Sequence, residues 1–339
     1  MTEPEFLKDL ALRRGIFEAR AAFLDRIRRF FKRRRFLEVD SPLLVPAAGM
    51  EPHLDPFEVR GAVTGMAAYL PTSPEFYLKK LVASGAKRCF SLAPSFRDEP
   101  PSRGHYPEFL MLEWYRTGAG HAALLKDCAG LLKDLGARFL PGGMLERGGV
   151  RCDFTLGLEV LSLSELFRRF AGKDWLDLAT DQHWQAAARE KGAEGNESWS
   201  RNDCFSFLMV AAVEPALAHF QRPVAVVGYP VFQAALARLN TKDARISDRF
   251  ELFAAGIEIA NAYTELTDAG EQRQRFRSYQ EERRAHGKTE HPEDTQFMEA
   301  VGHLPPCAGI ALGADRLLAL LLGETVARVR HGCISADSL

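Results

Sequence analysis

The chain has 339 residues, of which 46% are hydrophobic and 26% charged, and its formal net charge is −1. This composition predicts an ordinary soluble globular protein with ample core, and it excludes a global basic field for binding nucleic acid. The six cysteines form no CxxC pair, the N-terminus lacks the apolar core of a signal peptide, and no apolar run reaches the roughly 20 residues of a membrane span. We therefore expect a cytoplasmic protein with reduced thiols and no structural zinc site.

The first predicted element is a long helix over residues 15–35, where apolar residues recur close to the helical period. The basic run at 32–35 is interpreted as a solvated helix face, with contact to RNA as the alternative. An extended segment over 36–44 follows, and its Pro42 cannot donate to a central strand ladder.

The segment TSPE at residues 72–75 has the pattern of a helix start. Pro74 is predicted at the first helical position, with an acid in the first turn. On chemistry alone, Glu75 could serve only to stabilise the helix dipole.

Residues 90–115 are predicted to form a strand, a loop and a second strand, because the prolines and glycine at 100–104 can continue neither strand. In the second strand, period two places Phe109, Met111, Glu113 and Tyr115 on one face. Burying an unpaired carboxylate in a core is costly, so this face suits a pocket for a planar ring and a cationic group.

Three basic side chains border this second strand, namely Arg97, Arg103 and His105. They are donors suited to phosphate. The alternative is a β-hairpin with an exposed basic loop.

Residues 117–220 are predicted to be mostly helical and to contain no catalytic or ligand-binding pattern. The histidines and tryptophans there have no spacing that suggests ligands. We expect one catalytic domain over 1–339, with a helical insertion at about 120–220.

Strands at 249–253 and 257–263 around Ala254-Ala255-Gly256 predict a β-hairpin. With a two-residue turn, Glu251 and Glu258 fall on the same face, and their repulsion would cost about 1 kcal/mol or more.

A divalent cation relieves this repulsion, and Mg²⁺ prefers such carboxylates completed by triphosphate oxygens. The alternative is a salt bridge to Arg245, Arg249 or Arg316. A second set of polar residues falls on the other face if the strand is regular, namely Asn261, Tyr263 and Glu265. A bulge near Ala260 would be needed to bring this set into one pocket with Glu251 and Glu258.

The last strong pattern covers residues 309–316 and the apolar run after them, which predict a strand, a tight turn and a helix. Its glycines permit close backbone approach, and Arg316 stands at the helix start. This arrangement suits an anion site or a structural Asp–Arg pair.

Taken together, these segments resemble the three motifs of class II aminoacyl-tRNA synthetases: motif 1 at about 15–45, motif 2 at about 88–116 and motif 3 at about 307–323. The sequences SFRDE and PEFLMLEWYR are most similar to those of the lysyl branch. The resemblance implies an α+β class II catalytic fold, an antiparallel sheet flanked by helices, and a homodimer formed through motif 1.

The resemblance also implies site residues. The catalytic ones are Arg97, Arg316 and Glu251. ATP binding is assigned to Arg97, Asp98, Glu99, His105, Tyr106, Phe109, Glu251, Leu252, Gly313 and Arg316, and Mg²⁺ to Glu251 and Glu258. The amino-acid substrate is assigned to Ser73, Pro74, Glu75, Glu113, Tyr115, Glu258, Asn261, Tyr263, Glu265 and Ala311.

Within this class, the chain looks much like the elongation factor P–lysine ligases, lysyl-tRNA synthetase paralogues without the N-terminal OB-fold domain for the anticodon. That family activates (R)-β-lysine with ATP and passes it to a lysine of elongation factor P. Ala311 stands where lysyl-tRNA synthetases usually have Gly, which supports this choice. Other departures put the exact amino acid in doubt, at Tyr106, Ala262, Tyr263 and Gly270.

Three rival interpretations remain. A free-standing lysyl- or aspartyl/asparaginyl-type synthetase would charge tRNA. A class II asparagine synthetase would need a cation for an Asp side chain, whereas this pocket is acidic. A non-catalytic paralogue would be expected to have lost Arg97, Arg316 or the Glu251–Glu258 pair, and all are present.

Overall fold

The computed structural model of the chain describes residues 4–61, 67–100 and 106–330. In chain order, its helices are α1 (Glu5–Leu12), α2 (Arg14–Arg33), α3 (Glu75–Ala83), α4 (His121–Phe139), α5 (Leu163–Leu166), α6 (Asp181–Glu190), α7 (Arg201–Leu208), α8 (Glu214–Leu217), α9 (Ala269–Ala285), α10 (Thr295–Val301), α11 (Ala314–Leu322) and α12 (Val326–Val329). Its strands are β1 (Leu37–Glu38), β2 (Glu58–Val59), β3 (Ala68–Tyr69), β4 (Arg88–Phe96), β5 (Glu108–Thr117), β6 (Met144–Arg147), β7 (Val150–Asp153), β8 (Glu159–Ser162), β9 (Val224–Pro230), β10 (Ile246–Ala254), β11 (Ile257–Thr264) and β12 (Cys307–Gly313).

The chain divides into two compact units. The first is built from the described residues up to Gly118, from Thr267–Cys307 and from Ala311 onward; the second holds Ala119–Leu266 and Ala308–Ile310. The expected insertion falls in the second unit. That the whole chain is one catalytic domain stays a prediction.

The sheet of the first unit contains β1, β4 and β5. Strand β1 runs parallel to β4, and β4 runs antiparallel to β5. Helix α2 covers one face of the sheet, because its apolar residues Phe23, Ile27, Phe30 and Phe31 share one side of the helix. The Phe31 ring stacks 4.8 Å from the Phe90 ring of β4. The predicted long helix and the motif 2 hairpin are therefore confirmed.

The sheet of the second unit has the order β11-β10-β9-β8, with β8 parallel to β9 and the other pairs antiparallel. The β10–β11 turn is Ala255-Gly256, with φ angles of 48° and 75°, as type I′ hairpin turns require. Gly256 also has no room for a side chain, since a Cβ there would lie 2.7 Å from Cβ of Ala218. The predicted hairpin and its two-residue turn are confirmed.

The insertion is less helical than predicted. Besides α4 to α8 it contains the β6–β7 hairpin and the strand β8, which the sequence analysis missed. The aromatic residues Phe167, Trp184 and Phe205 pack together in the core of this unit.

Each unit thus combines helices with a mixed, mostly antiparallel sheet, which confirms the α+β class. Five cysteines in the described ranges are buried, and none of them forms a disulfide there. No helix in those ranges is both long and apolar enough to cross a bilayer.

Candidate active site

A buried carboxylate lies on the predicted face of β5, in the first unit. Glu113 is 1% exposed, and Oε1 of its carboxylate accepts a 2.6 Å hydrogen bond from the hydroxyl of Tyr115. This bond confirms that the two side chains share a face. Small residues stand opposite on β4, with Cys89 facing Tyr115 and Ser91 facing Glu113. Burial and the charge of Glu113 raise the pKa of the Cys89 thiol to about 12.

The ring of Phe109 and the guanidinium of Arg97 come together at the loop end of the same hairpin. Cζ of Arg97 lies 5.1 Å from the centre of the Phe109 ring. Nε of Arg97 is buried and has no hydrogen-bond partner among the described residues. A buried cationic donor without a partner is suited to an anionic ligand such as a phosphate.

The other residues assigned to this loop differ in their surroundings. The amide of Asp98 donates to the carbonyl of Asp55 at 2.7 Å, and the side chain of Asp98 is exposed. Glu99 and Tyr106 are half-buried. Arg103 and His105 lie outside the described residues.

Helix α3 begins at Glu75, one residue later than predicted, and Pro74 is its N-cap residue. The Ser73 hydroxyl accepts a 3.3 Å hydrogen bond from the amide of Glu75. The Glu75 carboxylate forms a buried 2.5 Å ion pair with Lys79. Burial raises the pKa of Glu75, the charge of Lys79 opposes this, and the charge of Glu51 adds to it. Glu75 therefore does more than stabilise the helix dipole.

The motif 3 turn places Gly313 as the N-cap of α11, with Arg316 half-buried in the first turn and Ala311 half-buried in β12. The neighbouring Asp315 is 2% exposed and pairs with Arg20 of α2 at 2.5 Å. The sequence suggested an Asp–Arg structural pair at this turn, but it could not identify so distant an arginine.

In the second unit, a β-bulge brings the polar residues of β10 and β11 to one face. Glu251 stands opposite Asn261 and Phe253 opposite Glu258, so the register shifts between Leu252 and Phe253. This is the bulge that the sequence analysis required, and it also places Tyr263 opposite Arg249.

Arg249 is the centre of this face. Its guanidinium donates to Oε1 of Glu251 at 2.5 Å and to Oδ1 of Asn261 at 3.1 Å, and it stacks over Tyr229 with Cζ 4.8 Å from the ring centre. The Tyr229 hydroxyl donates to Oε2 of Glu251 at 2.7 Å. Burial opposes the charge of Arg249, but Tyr263 and Glu251 raise the pKa of its guanidinium.

Of the salt bridges considered for Glu251, the one to Arg249 is formed, while Arg245 pairs with Asp243. The sequence analysis assigned no role to Tyr229. The position of Arg249 on the same face as Glu251 could have been predicted, because the two residues are two positions apart in one strand.

The carboxylates of this face suit a cation whose remaining ligands are waters or phosphate oxygens. No group of three or more His, Cys, Asp or Glu side chains able to hold a metal occurs among the described residues. Glu251 and Glu258 carry carboxylate oxygens, and Mg²⁺ commonly combines one or two carboxylates with waters and phosphate oxygens. Glu265 is 2% exposed, and Leu252 is fully buried.

The family model of the tRNA synthetases class II (D, K and N) matches residues 11–330. The chain belongs to this class II synthetase family. The motif resemblance found in the sequence is thereby confirmed.

Curated proteins with sequences similar to this chain carry a more specific name. Elongation factor P–(R)-beta-lysine ligase of Sodalis glossinidius (strain morsitans) is 39% identical over 309 residues, which cover 89% of this chain and 90% of the relative. The protein of the same name from Enterobacter sp. (strain 638) is 38% identical over 90% of each chain. The one from Salmonella paratyphi A is 38% identical over 91% of this chain and 92% of its own.

Proposed function

We propose that this protein is an ATP-dependent ligase that activates (R)-β-lysine as its acyl-adenylate and transfers it to the ε-amine of a lysine on elongation factor P. The observation that carries the proposal is the match along about 90% of the chain to ligases of that name. The buried Glu113–Tyr115 pair supports it, because a buried carboxylate and a phenol hydroxyl supply acceptors for the ammonium group of a diamino acid.

The first unit would bind the nucleotide. Phe109 and Arg316 would hold the two faces of adenine, and Arg97 would bind the α-phosphate, for which its unpartnered buried Nε is suited. Glu99 would accept from the exocyclic amine. The proposal also assigns nucleotide contacts to Asp98, His105, Tyr106 and Gly313 of this unit, and separately to Leu252, which belongs to the second unit.

The second unit would hold Mg²⁺ through Glu251 and Glu258. When bound, the ion would neutralise the charge of the phosphate oxygens. Arg249 and Tyr229 hold the Glu251 carboxylate from both of its oxygens, so its orientation is fixed before any ligand arrives.

The amino-acid substrate would present two ammonium groups. Glu113 and Tyr115 would receive one, and Glu75 would receive the other beside Lys79. The remaining substrate contacts are proposed for Ser73, Pro74, Glu258, Asn261, Tyr263, Glu265 and Ala311.

The reaction would proceed in two transfers. A carboxylate oxygen of (R)-β-lysine attacks the α-phosphorus in line, and the bond to pyrophosphate breaks. The ε-amine of the acceptor lysine then attacks the acyl carbon, loses a proton and releases AMP. The protein's own contribution is alignment and charge stabilisation, because no covalent enzyme intermediate is needed.

We further propose that the protein is a cytoplasmic homodimer and that tRNA is not its acceptor. Around motif 1, Leu37, Leu43 and Leu44 are exposed by 59%, 41% and 56%. Apolar side chains clustered at a surface are typical of an interface. Light scattering should give twice the chain mass of 37.8 kDa, and a monomer mass would contradict the dimer.

Amino-acid-dependent pyrophosphate exchange tests the activation step. With Mg-ATP, we expect exchange to be fastest with (R)-β-lysine and slower with α-lysine. Exchange that requires aspartate or asparagine instead would overturn the proposed substrate, and the absence of exchange with any amino acid would favour a non-catalytic role.

A further inference from the structure

The Asp315 carboxylate joins three distant parts of the first unit. It accepts hydrogen bonds from the guanidinium of Arg20 at 2.5 Å and from the amide of Leu110 at 2.7 Å. The guanidinium of Arg330 approaches its Oδ2 at 3.3 Å and also pairs with Glu108. We call Asp315, Arg20, Arg330 and Glu108 the motif 3 clasp.

Three members of the clasp are shielded from water, since the side chain of Asp315 is 3% exposed, that of Arg330 13% and that of Arg20 20%. The side chain of Glu108 is 43% exposed. Ion pairs buried to this extent are screened little by salt, and removing one partner leaves a buried charge uncompensated. The geometry of the clasp is therefore held far more firmly than that of a surface pair.

The backbone atoms that the clasp fixes adjoin the two residues proposed to hold adenine. Leu110, whose amide Asp315 binds, directly follows Phe109 in β5. Asp315 itself directly precedes Arg316 in the first turn of α11. One carboxylate thus sets the separation between the backbones of Phe109 and Arg316.

The clasp also ties down the C-terminal helix. Arg20 donates to the carbonyl of Val329 at 3.3 Å, and Arg13 donates to that of Ala327 at 3.2 Å. Helix α12 is thereby fixed on α2, and Arg330, which follows it, reaches Asp315 from that side. The C-terminal segment therefore contributes to the same arrangement as motifs 1, 2 and 3.

We propose that Asp315 is a positioning residue for ATP, which acts by fixing the gap between Phe109 and Arg316, and that Arg20 and Arg330 hold it in place. The proposal rests on the nucleotide-binding role assigned to Phe109 and Arg316. It predicts that damage to the clasp weakens ATP binding selectively and leaves amino-acid binding nearly unchanged.

The test compares full-length variants by calorimetric titration with Mg-ATP and by pyrophosphate exchange. Asp315→Asn keeps an acceptor for Leu110 but removes the charge, and we expect the Kd and KM for ATP to rise about tenfold or more. The KM for (R)-β-lysine should change by less than about twofold. Arg330→Ala should raise the Kd for ATP about threefold, since it removes the longest of the three contacts.

Three further variants separate positioning from stability. Arg328→Ala removes a nearby arginine of α12 that forms a half-exposed i,i+4 ion pair with Glu324, and it should leave ATP binding unchanged. Arg20→Lys keeps the charge and should retain ATP binding better than Arg20→Ala. If Asp315→Asn fails to fold, the Arg20 and Arg330 variants carry the test.

The outcomes are distinct. A merely structural clasp would lower the melting temperature of the ligand-free variants while their Kd for ATP equals that of the unsubstituted protein, and this would overturn the proposal. Equal increases in KM for ATP and (R)-β-lysine would also overturn it. If the unsubstituted protein itself does not bind Mg-ATP, the proposed function fails, and the clasp proposal fails with it.

Discussion

The two units hold their central carboxylates in opposite ways. In the first unit, Glu113 is bonded by the neutral hydroxyl of Tyr115; in the second, Glu251 is bonded by the guanidinium of Arg249 as well as by the hydroxyl of Tyr229. The hydrogen bond from Tyr115 brings no positive charge to Glu113, whereas the guanidinium of Arg249 balances the charge of Glu251. The two carboxylates therefore differ in the charge of these hydrogen-bond partners.

The comparison predicts that the binding of a cationic ligand depends on Glu113. It also predicts that Glu251 binds a metal cation only when phosphate oxygens are bound to the same ion. Arg97 provides the contrasting cation, since its buried Nε has no partner in the described part of the chain. Three substitutions and one labelling experiment sharpen or break this account, and they are ordered from the largest expected effect to the smallest.

Arg97→Ala should reduce pyrophosphate exchange about a thousandfold, because it removes the proposed donor to the α-phosphate. Arg138→Ala is the matched control, since Arg138 also lies 5.1 Å from a phenylalanine ring, that of Phe139, but is exposed. Exchange that survives in the Arg97 variant would remove this residue from the site.

Glu113→Gln should raise the KM for (R)-β-lysine roughly 30- to 100-fold, because the substitution keeps the shape but removes the charge that binds an ammonium group. The KM for ATP should stay nearly constant. Steady-state exchange kinetics measure both constants. An unchanged KM for the amino acid would show that Glu113 is a structural carboxylate.

Arg249→Met should lower the free energy of unfolding by about 3 kcal/mol, because it leaves the Glu251 charge buried without its guanidinium partner. Urea denaturation measures the change. Arg245→Met is the control, since Arg245 pairs with Asp243 at the same spacing of two residues but on the surface, and no change is expected there. Equal stability of the two variants would contradict the internal neutralisation of Glu251.

The Cys89 thiol should resist alkylation by iodoacetamide at about pH 8, since burial and the charge of Glu113 raise its pKa to about 12 and keep it protonated. Mass spectrometry of the labelled protein locates any modified cysteine. In Glu113→Gln the pKa should fall, although burial still limits the reaction. Rapid labelling of Cys89 in the folded, unsubstituted protein would contradict this environment.

The sequence predicted what depends on local pattern. Period two was enough to place Glu113 and Tyr115 on one face, and the need for a bulge near Ala260 followed from the parity of Asn261. Helix α2 was predicted because its apolar residues repeat at helical spacing. These features involve residues close together in the chain.

Contacts between distant residues could not be predicted in this way. One partner of Asp315 is Arg20, 295 residues away, and no periodicity connects them. The short strands β6 to β8 were missed because four residues are too few for an alternating pattern to stand out. Lys79 is an intermediate case, since its spacing of four residues from Glu75 is a known helical pair.

The most direct test of the proposed function is a competition between acceptors. The protein, Mg-ATP and labelled (R)-β-lysine would be mixed with elongation factor P and bulk tRNA together, and the label would be located by gel electrophoresis and mass spectrometry. We predict label on a lysine of elongation factor P and none on tRNA. Label on tRNA alone would contradict the account and identify the protein as an enzyme that charges tRNA.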